Sequence, residues 1–217
     1  MPPLVFLQLP HCGDLRLREL LERWIPEERR LAVYDGQLRL GGPDPEFVAR
    51  ARERVGELDL VYGYLSFGVH RFLDVEPRYA MFLRDPVERI VSLHAAVADG
   101  VGVGEWVASG TTELTNNHAC RMLAGFAPEP GRTRTDRELF DAAVATVDQH
   151  VELLGVLERF EPDAHRLAAL LGVPGTLDMP GAERSPGTGA LSPEAAAILR
   201  EHNRLDVELY RRALEAG

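Results

Sequence analysis

Two strand-like segments that run directly into a tight turn and then a helix constrain the fold more than any other feature. The first is an apolar run over residues 5–7, followed by a turn over residues 10–14 and an amphipathic helix over about residues 15–24. The second is the apolar run 79–83, followed by Arg84-Asp85-Pro86, where the proline suits the first turn of a helix. Units of this kind build parallel sheets covered by helices.

Further strand and helix patterns alternate along the rest of the chain. Strands are predicted over residues 31–36, 58–62 and 153–160, and helices over 44–58, 87–100, 112–126, 136–154, 163–171 and 192–214. The segment 100–106 carries a lone Gly-x-Gly-x-Gly after a helix, and we interpret it as a flexible loop. With 217 residues, the chain is predicted to form a single α/β domain over residues 1–217, with a mostly parallel sheet covered on both faces.

Composition excludes several classes of function. The formal net charge of −10 argues against nucleic acid as a partner, because repulsion opposes the encounter of two polyanions. No apolar stretch reaches the length of a membrane span, and the N-terminus lacks the pattern of a signal peptide. Cys12 and Cys120 make no disulfide framework, and no metal-binding motif is present, so we expect a cytoplasmic protein without a metal site.

The two turns that follow the strand-like segments are candidate phosphate sites. Ligands of parallel α/β sheets bind at the carboxyl ends of the strands, and helix N-termini attract anions. The turns over residues 10–16 and 84–92 can therefore hold a ligand that carries two separate phosphates.

Five segments, in order, resemble the carbohydrate-type sulfotransferases, the group related to heparan sulfate 2-O-sulfotransferases. The segment FLRDPVERIVSLH resembles the part of these enzymes that binds a 3′-phosphate, and YGYLSFG resembles their Gly-His-x-x-Phe-Gly stretch. The segment NNHACRMLAG resembles their Asn-x-x-x-Arg-x-Leu-x-Gly stretch, and two later segments begin at LLGVLERF and LREHNRLD. The resemblance extends from residue 4 to about residue 212.

The resemblance implies a three-layer fold like that of P-loop NTPases and the donor 3′-phosphoadenosine 5′-phosphosulfate (PAPS), which leaves as 3′-phosphoadenosine 5′-phosphate (PAP). It implies that Arg84 and Ser92 hold the 3′-phosphate, and that residues of the long loop 173–190, Arg184 and Ser185, cover the nucleotide. The helix start formed by Gly13, Asp14, Leu15 and Arg16 is the expected cradle of the 5′-phosphosulfate.

The first loop departs from the family's Pro-Lys-Thr-Gly-Gly-Thr-Ser-Leu pattern. Its replacements are His11 for the lysine, Cys12 for the first threonine, Asp14 for the second glycine, and Leu15 and Arg16 for the Thr-Ser pair. A protonated His11 can stabilise charge on the leaving oxygen or donate a proton to it. Arg16 can supply a guanidinium if it turns toward the loop, and Asp14 either repels the donor or stabilises the helix start.

The general base is the second departure. The family's candidate histidine in the Gly-His-x-x-Phe-Gly stretch is Tyr64 here, and an ordinary tyrosine is a weak base at neutral pH. His70 lies six residues later and can take over that role, or can be structural.

The sequence therefore predicts a sulfotransferase that moves a sulfuryl group from PAPS to a hydroxyl or amine of a small molecule or saccharide. Its acidic charge argues against a polyanionic glycan as acceptor. The altered first loop leaves open a protein of this fold that binds a nucleotide or small ligand without transfer, or an enzyme of altered donor or reaction. The sequence does not predict the oligomeric state.

Overall fold

The computed structural model describes residues 1–34, 38–39, 42–43, 45–97, 100–109, 113–125, 133–174 and 191–216. Its main sheet has five strands in the order β2-β5-β1-β6-β7, and every neighbouring pair is parallel. These strands are β1 (Leu4–Leu7), β2 (Arg30–Val33), β5 (Leu60–Gly63), β6 (Tyr79–Leu83) and β7 (Val151–Val156). A separate antiparallel pair consists of β3 (Leu38–Arg39) and β4 (Gly42–Pro43).

Helices follow the strands along the chain. Their bounds are α1 (Asp14–Trp24), α2 (Pro45–Arg54), α3 (Val69–Leu73), α4 (Pro86–Val97), α5 (Val103–Ala108), α6 (His118–Ala124), α7 (Asp136–His150), α8 (Phe160–Leu170), α9 (Pro193–His202) and α10 (Arg204–Glu215). The predicted α/β class, with a parallel sheet flanked by helices as in P-loop proteins, is confirmed.

Both faces of the sheet are buried, as continuous apolar strands require. Successive residues of β1 point to opposite faces, so Val5 and Leu7 join one apolar cluster while Leu4 and Phe6 join another. Helices α1 and α8 cover the face of Phe6, and α6, α7 and α10 are among those that cover the other. A third cluster joins α4, α5 and α9 beside the sheet.

Several predicted boundaries are wrong. The last helix, predicted over residues 192–214, is two helices that meet at Asn203, whose side chain donates to the carbonyls of Leu199 and Thr115. The segment 100–106, interpreted as a loop, includes the start of α5. The helix predicted over 136–154 ends at His150, where β7 begins, and the strand predicted over 153–160 ends at Val156.

Within the described ranges, no helix is both long and apolar enough to cross a membrane. The prediction of a single domain over residues 1–217 stays a prediction.

Candidate functional site

The candidate site lies at the carboxyl ends of β1 and β6, which are neighbours near the middle of the sheet. The chain leaves β1 for one side of the sheet and later returns through β6 on the other side. Such a switch in strand order opens a crevice beyond the carboxyl ends of the strands, where ligands of α/β proteins bind. The turn before α1 and the turn before α4 both begin at this edge.

The turn before α1 is a tight loop with two residues at positive φ. His11 has a φ of 65° and Gly13 a φ of 72°, and the N–H of Cys12 donates to the carbonyl of Leu9 at 3.2 Å. A Cβ on Gly13 would lie 2.7 Å from Cδ1 of Leu157. The left-handed backbone therefore favours glycine at residue 13, and a larger residue would also have to displace the end of the Leu157 side chain.

Two side chains hold this loop in shape from within. The Asp14 carboxylate accepts the backbone N–H of His11 at 3.2 Å, and the backbone carbonyl of Asp14 accepts Nε2 of Gln8 at 2.8 Å. The hydroxyl of Tyr34, which follows β2, donates to Oε1 of Gln8 at 2.6 Å. Asp14 thus stabilises the loop directly, which gives its charge a structural role.

The two helix N-termini at this edge differ in whether a side chain occupies them. The carboxylate of Asp85 accepts the N–H groups of Val87 and Glu88 and so caps α4. The N-cap of α1 is Gly13, and no side-chain hydrogen bond caps this helix. A helix start without a side-chain cap presents N–H donors and a partial positive charge to an anion. The first N–H groups of α1 are therefore open to an anion, although the Asp14 carboxylate lies in the same turn.

Two contacts join the loop to α4. Nδ1 of His11 and Oγ of Ser92 are hydrogen-bonded at 3.1 Å, although the residues are 81 positions apart in sequence. Nη1 of Arg84 donates to the backbone carbonyl of His11 at 3.4 Å. The structure thus brings together three residues that the sequence singled out, His11, Arg84 and Ser92.

Arg84 is buried and already paired. Its side chain is 5% exposed, and its Nη2 and Nε lie 3.1 and 3.3 Å from Oε2 of Glu88, one helical turn later. The Glu88 side chain is 43% exposed and can turn into solvent. A phosphate at Arg84 would therefore replace the carboxylate of Glu88.

The charge state of His11 depends on what binds beside it. Burial lowers the pKa of His11 below its usual 6.5, Asp14 opposes this shift, and Arg89 and Arg84 lower the pKa further. His11 is therefore neutral near pH 7 in the free protein. An anion bound next to it would raise its pKa.

The chain is similar to a sulfotransferase of known structure. This is mouse sulfotransferase SULT7A1, whose crystal structure is of its complex with PAP. The two chains are 15% identical with a TM-score of 0.44, and the match covers 93% of this chain and 63% of the mouse chain. No family model matches the chain, and no curated protein matches it. A likeness of this extent identifies neither a family nor an activity.

The other residues predicted for the cradle point in different directions. Leu15 is 66% exposed at the start of α1. The guanidinium carbon of Arg16 lies 3.5 Å from the ring centroid of Phe160, the first residue of α8, so this side chain packs against an aromatic ring. Arg184 and Ser185 lie outside the described residues. Their predicted contacts with the donor stay predictions.

Tyr64 lies one residue beyond β5, at the same edge of the sheet as the loop. It is 45% exposed, and its ring packs edge-on against that of Tyr34 with centroids 5.2 Å apart. Burial and the neighbouring Asp14 carboxylate raise the pKa of Tyr64. Tyr64 thus keeps its proton at neutral pH and places a hydroxyl beside a carboxylate.

His70 is placed at the opposite edge of the sheet. Its Nδ1 is 2.7 Å from the hydroxyl of Tyr79, which is the first residue of β6. The candidate site begins after Leu83, the last residue of that strand. The length of that strand, about 13 Å, separates the two edges. Burial, with the charges of Arg71 and His150, lowers the pKa of His70 to about 4. The structure does not bring His70 to the loop, and its role as base stays a prediction.

Asn117 and Arg121 of the matched Asn-x-x-x-Arg stretch make structural contacts. The Asn117 side chain accepts the N–H groups of Leu205 and Asp206 at the start of α10. Arg121 donates to the carbonyl and the side chain of Asn116.

Sequence reasoning missed Gln8, Tyr34 and Arg89. Gln8 and Tyr34 carry no motif, and only the folded sheet brings them to the loop. Arg89 had a usable signal, because it precedes Ser92 by three residues and therefore shares its face of α4.

Proposed function

We propose that the protein is a PAPS-dependent sulfotransferase that transfers a sulfuryl group to a hydroxyl or amine of a small molecule or saccharide. The observation that carries this proposal is the hydrogen bond between His11 and Ser92, at 3.1 Å. It joins two segments that, by their resemblance to carbohydrate-type sulfotransferases, were each expected to hold one end of PAPS. The similarity of Arg84 to the 3′-phosphate ligand of that family supports the same placement.

The residues at the site fit the two phosphate-bearing ends of PAPS. The start of α1 has no side-chain cap and would take the 5′-phosphosulfate. Arg84 and Ser92 would take the 3′-phosphate, with Glu88 displaced from the guanidinium. When bound, PAPS supplies an activated sulfuryl group, and the residues of this chain orient it and stabilise charge around it.

His11 and Asp14 provide the proton transfers, and Tyr64 orients the acceptor. A protonated His11 stabilises the leaving oxygen or donates a proton to it, and the negative charge of the donor favours that protonated form. Tyr64 keeps its own proton, so it would orient the acceptor by a hydrogen bond. The carboxylate of Asp14, next to Tyr64, would then receive the acceptor's proton.

One observation favours the alternative of a protein that binds the nucleotide without transfer. The loop N–H of His11 is occupied by Asp14, and Arg84 is occupied by Glu88, so two donors that an active loop needs are already engaged. On this alternative, PAP binds and no sulfated product forms.

A turnover assay tests the proposal. The protein is incubated with PAPS and a panel of phenols, amines and saccharides, and sulfated products are measured by mass spectrometry. We expect product from the wild type, a loss of about 100-fold or more in kcat for His11→Ala and Asp14→Asn, and no change for His165→Ala, an exposed histidine of α8. Binding of PAP without any product would support the alternative, and unchanged turnover in His11→Ala would remove His11 from the mechanism.

A further inference from the structure

Arg89 is a fully buried arginine that the proposed reaction does not use. It lies on α4, is 1% exposed, and donates from Nη2 to the carbonyl of Leu114 at 2.7 Å. Its Nε and Nη1 have no hydrogen-bond partner within the described part of the chain. Buried polar atoms are almost always hydrogen-bonded, so two unpartnered donors on one guanidinium call for an explanation.

The guanidinium of Arg89 also has no carboxylate paired with it in the described part of the chain. Buried arginines are normally paired with a carboxylate. The Asp206 carboxylate is close enough to affect Arg89 electrostatically, but its two oxygens accept the N–H groups of Ala119 and Cys120. A charge buried in this way destabilises the fold unless something neutralises it.

The position of Arg89 indicates what neutralises it. Arg89 lies on the same face of α4 as Ser92, which is hydrogen-bonded to His11 in the loop before α1. The positive charge of Arg89 opposes protonation of His11 and favours ionisation of Cys12. Arg89 therefore lies within electrostatic reach of the loop that leads into α1.

We propose that Arg89 is a positioning residue of the donor site, whose buried charge has no ion-pair partner among the described residues and is neutralised by the anion bound at the start of α1. The proposal rests on the proposed function for the identity of that anion, a phosphate or phosphosulfate of the nucleotide. Arg89 acts through the loop and does not contact the reacting atoms. The stability lost by burying the charge in the free protein is recovered as binding affinity.

A structural role alone does not require this residue. The single hydrogen bond to the carbonyl of Leu114 needs one neutral donor, which a glutamine would supply without a charge. Burying a charge without a paired carboxylate costs free energy, so a neutral side chain of similar size should not destabilise the fold. The two roles therefore predict opposite behaviour for neutral variants of Arg89.

The test compares wild type, Arg89→Gln, Arg89→Met and Arg89→Lys by calorimetric titration and by thermal unfolding with and without ligand. PAP and inorganic pyrophosphate are the two probes. Arg30→Met is the matched control, because Arg30 also donates to backbone carbonyls but lies at the start of β2, on the far edge of the sheet. Arg89→Gln keeps a donor for Leu114 and covers the case in which Arg89→Met does not fold.

We expect Arg89→Gln and Arg89→Met to keep or raise the melting temperature of the free protein and to lose about 10-fold or more in PAP affinity. Arg89→Lys keeps the charge and should bind with an intermediate affinity, and Arg30→Met should bind as the wild type does. Unchanged PAP affinity in both neutral variants would overturn the inference and leave the proposed function intact. If the wild type binds pyrophosphate in an Arg89-dependent way but not PAP, the inference stands and the proposed donor is wrong. If it binds neither probe, both are overturned.

Discussion

At the scale of single residues, the substitution of histidine for lysine changes when the donor loop carries charge. A lysine would be protonated at every physiological pH, whereas His11 has a pKa below 6.5, chiefly because it is buried. Near neutral pH, a charge at His11 is therefore favoured by a bound anion. This makes ligand binding and proton uptake a single coupled event.

The coupling predicts that PAP affinity depends on pH through His11. The pKa of His11 is lowered in the free protein and should be higher in the complex, so binding should take up a proton at any pH between the two values. The affinity of the wild type should therefore rise, relative to that of His11→Gln, as the pH falls from about 8 to about 6. Titrating both proteins at each pH removes the contribution of the ligand's own phosphates, which lose charge near pH ~6. A ratio of affinities that does not change with pH would contradict this role of His11.

Glu88 is a second residue whose substitution should change the affinity for PAP in a predictable direction. It competes with the ligand for Arg84, since its carboxylate lies 3.1 Å from Nη2 of that arginine. We expect Glu88→Gln to bind PAP about 3- to 10-fold more tightly, because the arginine is released and a nearby negative charge is removed. Glu215→Gln is the matched control. Glu215 also pairs with an arginine four residues earlier on its helix, but it is the last residue of α10. Weaker PAP binding by Glu88→Gln would show that Glu88 positions Arg84 for the ligand.

At the scale of elements, the loop before α1 depends on glycine at residue 13. We expect Gly13→Ala to destabilise the protein by about 2–4 kcal/mol, from a left-handed backbone and a Cβ 2.7 Å from Leu157. Gly172 has a similar φ, +68°, but nothing within 4 Å of an added Cβ, so Gly172→Ala should cost only about 1 kcal/mol. Urea unfolding measures both, and PAP binding should weaken only in Gly13→Ala. Equal losses of stability would contradict the close contact with Leu157.

The elements that the sequence predicted best are those fixed by local patterns. The strand Tyr79–Leu83 has the predicted bounds because five buried apolar residues end at Arg84-Asp85-Pro86, where a helix must start. The break at Asn203 was missed because its cause is remote: the Asn203 side chain bonds the backbone of Thr115 and Asn117, 86 or more positions away. The only local signal is Asn203 itself, preceded by Arg200 and His202, a pattern that can end a helix.

Within the candidate site, too, some features follow from local sequence patterns and others depend on contacts between remote segments. That His11, Arg84 and Ser92 lie near one crevice follows from the rule that parallel strands present their carboxyl ends at one edge. The pairing of Arg84 with Glu88 and the unpartnered donors of Arg89 depend on packing between distant segments. No pattern in the sequence specifies that packing, so these features required the structure.

At the scale of the whole molecule, a half-buried histidine that is held neutral links stability to pH. Burial, with the charges of Arg89 and Arg121, lowers the pKa of His118 at the start of α6 to about 3. The pKa of His118 in the folded protein lies below its unfolded value of 6.5. Its contribution to the free energy of unfolding is therefore full above pH 6.5 and is lost as the pH falls toward 3. We expect wild type to lose about 2 kcal/mol more than His118→Gln between about pH 6.5 and about pH 5, in urea unfolding. Parallel losses in the two proteins would contradict this.

The central claim is that the carboxyl edge of the sheet binds PAP through Arg84, and calorimetric titration with PAP tests it most directly. Arg78 is the matched control for Arg84, because one arginine precedes β6 and the other follows it, and Arg78 pairs with Glu152. We predict that wild type and Arg78→Ala bind PAP equally, and that Arg84→Ala binds about 30- to 100-fold more weakly. No binding by the wild type, or equal binding by Arg84→Ala, would contradict the claim.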